Sequence, residues 1–374
     1  MKCPHCLAEL KYVDRPKRTC PRCRQQFALE PRENKLKLSD LKLRGLAESL
    51  SRKGAYRYTA AHLVHAAIRQ WLKPSYDLQY SFPHQMSFFG CILMVILLIL
   101  VFCLLIPILL MHIGAPFAEL FIAFSYLIAG VLACILLLLT QEARYTDPKS
   151  FQFETLYIEP WQAIHGPLPG LIDRNEIGLL WQNYNDIPIE ATRAFVVSPV
   201  EDVLDCLLAN ELPQRLCLVL INLCRSDVES QIALVRQHPH IPILVIHDAS
   251  IAGCLLPSQL PQQWQLTPSH RVIDLGLHPA DVKLRRLPWR RGPIDTSNLE
   301  LLHQAQSTGA STFSDDDMKW FAAGSMSSVL FLPPAQLIRR VAQTVAQYGP
   351  PELDPKAAAQ ARTIGFMTWP QPSA

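Results

Sequence analysis

The 374-residue chain predicts a multidomain membrane protein. Its parts are a small cysteine-bearing module with short helices, an α-helical transmembrane hairpin, and a cytosolic α/β domain with a mostly parallel sheet. Three observations lead there. Two cysteine pairs open the chain, two long apolar runs follow, and short apolar strands alternate with helical segments beyond Arg193.

The opening reads MKCPHCLAEL and continues to TCPRCRQQFAL. It sets Cys3-x2-Cys6 and Cys20-x2-Cys23 thirteen residues apart. Two tight turns, each pointing two thiolates at one ion, suit tetrahedral zinc. Four protein ligands make the site closed and structural, and His5 and His65 are not needed as ligands. Residues 3–29 resemble the small zinc ribbons at the starts of many bacterial membrane and regulatory proteins. Phe27 matches the aromatic that closes the core of such a ribbon, and 1–30 is the expected module.

Residues 31–85 read as a basic helical segment. A short strand is expected at 35–38. Ser39 then caps a helix through Lys53, with Leu43, Leu46 and Leu50 on one face and Gly54 ending it. Thr59 caps a second helix over 60–72 that aligns Val64, Ala67, Ile68 and Trp71. Residues 1–85 hold 17 Lys and Arg against 7 Asp and Glu, a net of +10 in a chain of net +3. Such clustering beside an apolar segment points to topology and lipid headgroups. Nucleic acid is the other partner it admits, although charge alone specifies no base contact.

Residues 88–113 contain no Asp, Glu, Lys or Arg, and 117–139 carry only Glu119. Each run exceeds the roughly 20 apolar residues that cross a bilayer. The expectation is a two-helix hairpin over 86–140, kinked at Pro107, with His112 and Glu119 near the outer interface. The basic flank then places both termini in the cytosol of a bacterium, at its inner (cytoplasmic) membrane. Cysteines in that compartment stay reduced. Cys91, Cys103, Cys134, Cys206, Cys217, Cys224 and Cys254 read as apolar packing.

A juxtamembrane linker is expected over 141–192. Strands then follow at 194–197, 216–223, 242–247 and 271–275, with helices at 200–210, 226–237 and 251–256. Continuous apolar strands alternating with helices indicate a parallel sheet covered on both faces. Neither GxxxxGK[ST] nor GxGxxG occurs, which argues against a P-loop or dinucleotide site.

In VVSPVEDVLD and HDASIAG, residues 193–290 resemble the TOPRIM domain of topoisomerases, primases and related nucleases. That family carries a Glu at the end of its first strand and Asp-x-Asp after its third, and these acids hold Mg²⁺ for phosphoryl transfer. The resemblance makes Asp248 a catalytic candidate, with Asp202 and Glu201 as supporting acids. Ser198 and Ser250 stand where two of the three core acids belong, which leaves a depleted Mg²⁺ site. A rival resemblance of DAS is to the Asp-x-Ser-x-Ser metal-adhesion motif of von Willebrand A-type domains, with Ala252 in its third position. The plain alternative is that Asp248 caps the following helix.

Lys283, Arg285, Arg286, Arg290 and Arg291 surround Trp289 within 193–292, a cluster suited to phosphate or headgroup contact. A helical extension is expected over 293–347. In it Ser314–Asp317 caps one helix, and Pro333-Pro334 opens another that aligns Leu337, Val341 and Val345. Residues 348–374 read as a flexible tail. The expected function is that of a membrane-anchored zinc-ribbon module for binding, docking or sensing, with protein partners and an inactive TOPRIM-like domain. The alternative is a membrane-tethered, metal-dependent nuclease acting in defence against foreign nucleic acid.

Overall fold

The computed structural model describes residues 1–81, 150–184, 187–223, 228–294, 296–307 and 313–350. Met1–Trp71 and Asp147–Ala374 make up one compact unit, and Leu72–Thr146 a second. The hairpin expected over 86–140 lies outside the described residues, as does the tail beyond 350. Among the described residues no helix is long and apolar enough to cross a membrane. The expected membrane fold class, and the inner-membrane localisation derived from it, are corrected accordingly. What the structure shows instead is a parallel sheet with helices packed around it.

The sheet has four strands: β1 (Ala194–Ser198), β2 (Leu218–Asn222), β3 (Ile243–Val245) and β4 (Val272–Asp274). Every pairing is parallel, and the spatial order is β2-β1-β3-β4. β1, β2 and β3 are buried along their whole length, which is why they read as uninterrupted apolar runs in the sequence. Phe195, Val197, Val219, Ile221, Ile243 and Val245 form one core with Ile232, Val235, Leu260 and Trp264 from the covering helices.

This order is the one seen in flavodoxin-like doubly wound sheets, in which the chain leaves β1 toward β2 on one side and β3 on the other. The crevice at such a switch point, outside the C-terminal ends of β1 and β3, is where these folds bind ligands.

The N-terminal segment belongs to the same unit. Helix α1 (Asp40–Ser51) is capped by Ser39, whose Oγ accepts from Lys42 N, and it buries Leu43, Ala47 and Leu50. The expected strand at 35–38 is absent. Helix α2 (Ala60–Ser81) buries Ala61, Leu63, Val64, Ala67 and Ile68, while Trp71 is exposed.

The stretch expected as a linker is helical in large part. α3 (Ser150–Phe153) runs through a π turn at Glu154–Ile158 into α4 (Glu159–His165), and α5 (Arg174–Gln182) follows. Tyr58 and Leu171 form a parallel bridge between this region and the N-terminal segment. Gly170 makes that approach feasible: it has φ +76°, and a Cβ there would stand 2.7 Å from Tyr56 O and from Ser51 Cβ.

The covering helices are α6 (Glu201–Ala209), α7 (Leu212–Leu216), α8 (Val228–Gln237), α9 (Ile251–Gln263) and α10 (Pro279–Arg285). A two-stranded ribbon of β5 (Arg290–Arg291) and β6 (Ser325–Met326) brackets α11 (Thr296–Ser307) and α12 (Asp315–Ala322). Ser314 and Asp317 form a reciprocal capping box at the start of α12. After a 3-10 turn at Val329–Phe331, α13 (Pro334–Tyr348) buries Leu337, Ile338, Val341 and Val345.

Candidate functional site

Two clusters of metal-binding side chains occur among the described residues. The first is Cys3, Cys6, Cys20 and Cys23. Cys3 Sγ and Cys23 Sγ lie 3.7 Å apart, and Cys6 Sγ and Cys20 Sγ 3.8 Å. An ion bonded tetrahedrally to four sulfurs at about 2.3 Å sets those sulfurs roughly 3.8 Å apart, so the cluster has the size a metal ion needs.

The two knuckles are built alike. Bridges Lys2–Glu9 and Thr19–Gln26 close each one, and Leu7 and Arg24 take the left-handed conformation at equivalent places. Backbone N–H groups of Cys23 and Arg22 bring the Cys20 thiol down to about 6, whereas burial and the neighbouring thiols raise Cys3 and Cys23. Leu10 and Phe27 are buried against Cys3 and Cys20, completing a small core.

The module is tied down by one carboxylate. Asp40 Oδ2 accepts from Ala28 N and Oδ1 from Leu29 N, both at 2.8 Å, and His165 Nε2 approaches Oδ2 at 2.5 Å. Arg15 adds an ion pair to buried Glu30 at 2.5 Å.

The acids singled out in the sequence are distributed differently. Asp248 follows β3, at the sheet's C-terminal end, but its Oδ1 accepts from Val329 N at 2.6 Å and Ser328 Oγ at 3.2 Å. It caps the 3-10 turn, whereas α9 is capped by Ser250, which accepts from Gly253 N. Burial raises the Asp248 carboxyl above its usual range, opposed by the Val329 hydrogen bond and by nearby His65.

Asp202, in the first turn of α6, is also raised by burial, against a hydrogen bond from the Thr59 hydroxyl and the proximity of His65. Glu201 is exposed, and its Oε1 accepts from Asn222 Nδ2 at 3.3 Å. These three acids form no metal-sized cluster among the described residues.

The strand ends show why. Ser198 Oγ closes a local turn with Val200 N at 3.0 Å, and Asn222 ends β2. The space outside β1 and β3 is taken by the chain itself. Thr59 at the start of α2 reaches Asp202, and His65 stacks edge-on against Phe331 with ring centroids 4.8 Å apart. Ala249 and Ser327 form an antiparallel bridge that seats the 3-10 turn.

The second cluster is His247, Asp274 and His278, a constellation that reading the sequence missed. His247 lies two residues past the end of β3 and is fully buried; Asp274 closes β4; His278 precedes α10. Nothing in the local sequence marks them, because VIHD and VIDLGLH are ordinary strand endings until the β3–β4 pairing aligns them.

In the basic cluster, Arg285 and Arg286 are exposed. Lys283 Nζ donates to Asp316 O at 3.4 Å, and the Arg291 guanidinium lies 6.0 Å from the Trp289 ring centroid. Arg290 and Arg291 form β5 itself.

No family model, characterised protein or solved structure matches this chain.

Proposed function

We propose that this chain is a binding protein: a zinc-bearing module fused to an α/β scaffold and used to dock a protein partner. The observation that carries the reading is the plugged switch point, where Asp248 accepts from Val329 N and Ser328 Oγ. A phosphoryl-transfer site of the TOPRIM type needs clustered carboxylates open to a phosphodiester and to Mg²⁺. Here Asp248 is spent on Val329 N and Ser328 Oγ, and the three acids form no metal-sized cluster among the described residues.

Zinc suits the four thiolates because a closed all-cysteine set is its usual structural site. The same module presents Leu7, Tyr12 and Val13 to solvent, at 62%, 43% and 87% exposure. Exposed Arg32 lies over the Tyr12 ring, whereas the Arg15 side chain is buried in its pair with Glu30. Exposed Tyr and Arg beside apolar side chains are what protein interfaces favour at their centres.

The test uses the full chain. The reading expects bound zinc and a protein partner that is retained by the wild type and lost with Val13→Asp, the melting temperature being unchanged. Mg²⁺- or Mn²⁺-dependent cleavage of nucleic acid, abolished by Asp248→Asn, would sink it in favour of the nuclease.

A further inference from the structure

His247, Asp274 and His278 meet at the C-terminal end of the sheet, one strand away from the plugged crevice. His247 Nε2 lies 2.9 Å from Asp274 Oδ1, and His278 Nε2 lies 3.0 Å from Asp274 Oδ2. Cis ligands at about 2.1 Å from one six-coordinate ion stand roughly 3 Å apart, so these spacings suit shared octahedral coordination.

The hydrogen accounting is specific. His247 Nδ1 is 2.8 Å from the Asp248 carbonyl, which can only accept, so Nδ1 carries the hydrogen. That directs the His247 Nε2 lone pair at Asp274 Oδ1, an oxygen that already accepts from Gly276 N at 2.8 Å. Two acceptors 2.9 Å apart require something positive between them: a second proton, or a metal ion. The Nδ1–H to carbonyl bond is also the support that metal-ligating histidines ordinarily have.

The site is built rather than incidental. A Cβ at Gly276 would come within 2.2 Å of the His247 ring, so only glycine leaves that ring its place. Arg340 Nη1 donates to Leu275 O at 3.3 Å and Gly276 O at 3.2 Å, fixing the loop that carries Asp274 toward His278. The His278 side chain is about a third exposed, which opens the cluster on one side to solvent.

We infer that His247, Asp274 and His278 form a second metal site, for a first-row divalent ion that prefers nitrogen and oxygen donors. It differs in kind from the cysteine cluster. Two imidazoles and one carboxylate leave coordination positions free for water or a small anion, whereas four thiolates leave none.

The probe is Co²⁺ added to the full-length protein, with the bound metal counted after desalting and its absorption spectrum recorded. Two equivalents of metal per chain are expected, and Co²⁺ in the second site should lack a thiolate charge-transfer band. His278→Ala should bind one equivalent and leave the cysteine site filled. One equivalent in the wild type, or two retained in His278→Ala, overturns the proposal. If His278→Ala does not fold, the wild-type count decides, together with X-ray absorption of the bound Co²⁺. Imidazole scattering supports the site, and sulfur scattering alone overturns it.

Discussion

Asp40 Oδ2 and His165 Nε2 lie 2.5 Å apart, joining the first residue of α1 to the last residue of α4 across 125 positions of sequence. Both side chains are buried, and the same carboxylate also takes the Ala28 and Leu29 amides. One carboxylate therefore holds the cysteine module, α1 and the 150–165 segment together. Removing it strands two buried N–H groups and an imidazole, each lost partner costing about 1–3 kcal/mol. Asp40→Ala should destabilise the protein by roughly 3–5 kcal/mol in chemical denaturation, as when a buried charged partner is removed. Asp40→Asn, which keeps one acceptor, should fall between it and the wild type.

Asp248 separates the structural role from the catalytic one. Its carboxyl is raised by burial, so the folded state holds a proton more readily than the unfolded chain does. Stability tied to this group is greatest at low pH and declines as pH rises through the folded value. Asn keeps an oxygen for Val329 N and carries no charge to desolvate. Asp248→Asn should therefore melt at or above the wild-type temperature at pH 7. Asp248→Ala, which leaves Val329 N without its acceptor, should lose about 1–3 kcal/mol. Thermal melts of the pair at pH 5 and pH 7 check both halves.

His62 gives a pH dependence of the opposite sign. It is fully buried in α2, and its Nδ1 lies 3.0 Å from Thr59 Oγ1. Burial, reinforced by His65, lowers its pKa to about 3. The unfolded chain protonates this side chain near 6.5 and the folded one near 3. Stability is complete above 6.5 and falls as pH drops toward 3, by up to about 1.4 kcal/mol per unit. His62→Leu should flatten that part of a stability-against-pH profile measured by urea denaturation between pH 7 and 4. An unchanged slope would show that His62 does not set it.

What the sequence made legible was local. Each cysteine knuckle is spelled out within four residues, and β1, β2 and β3 are unbroken apolar runs because both their faces are covered. Ser39 and the Ser314–Asp317 box were legible for the same reason, since a cap and its amide partner are three residues apart. Partners far apart in the chain were not. Asp248 faces Val329 across 81 positions and His247 faces Asp274 across 27, and only strand pairing and the β6 turn bring them together. The filled crevice was hidden likewise, because Thr59 and Asp202 belong to segments that read as separate domains. The expected membrane fold class rested on residues 86–140, which lie outside the described residues, while the described fold is a parallel sheet with helices around it.

The cysteine module should respond to metal removal as a unit. Its core among the described residues, Leu10 and Phe27 with Met1 and the four cysteines, is too small to hold without the cross-link an ion supplies. Cys20→Ser, or a strong chelator, should unfold residues 1–30 and speed hydrogen exchange at the Cys3, Cys20 and Phe27 amides. The amides of β1 and β2 should keep their protection.

Gly276 offers the sharpest separation between the two metal clusters. Any side chain there meets the His247 ring at 2.2 Å, and that ring has no room to move, being fully buried and held through Nδ1. The overlap must be relieved by shifting the ring or the Gly276 backbone, and either change breaks the alignment of Nε2 with Asp274 Oδ1. Gly276→Ala should therefore lose about 1–3 kcal/mol of stability from overpacking. It should also lower the bound Co²⁺ from two equivalents to one while the thiolate charge-transfer band stays intact. A variant that is destabilised yet still binds two equivalents would place the second ion away from His247, whereas loss of the thiolate band would show that the two clusters are coupled.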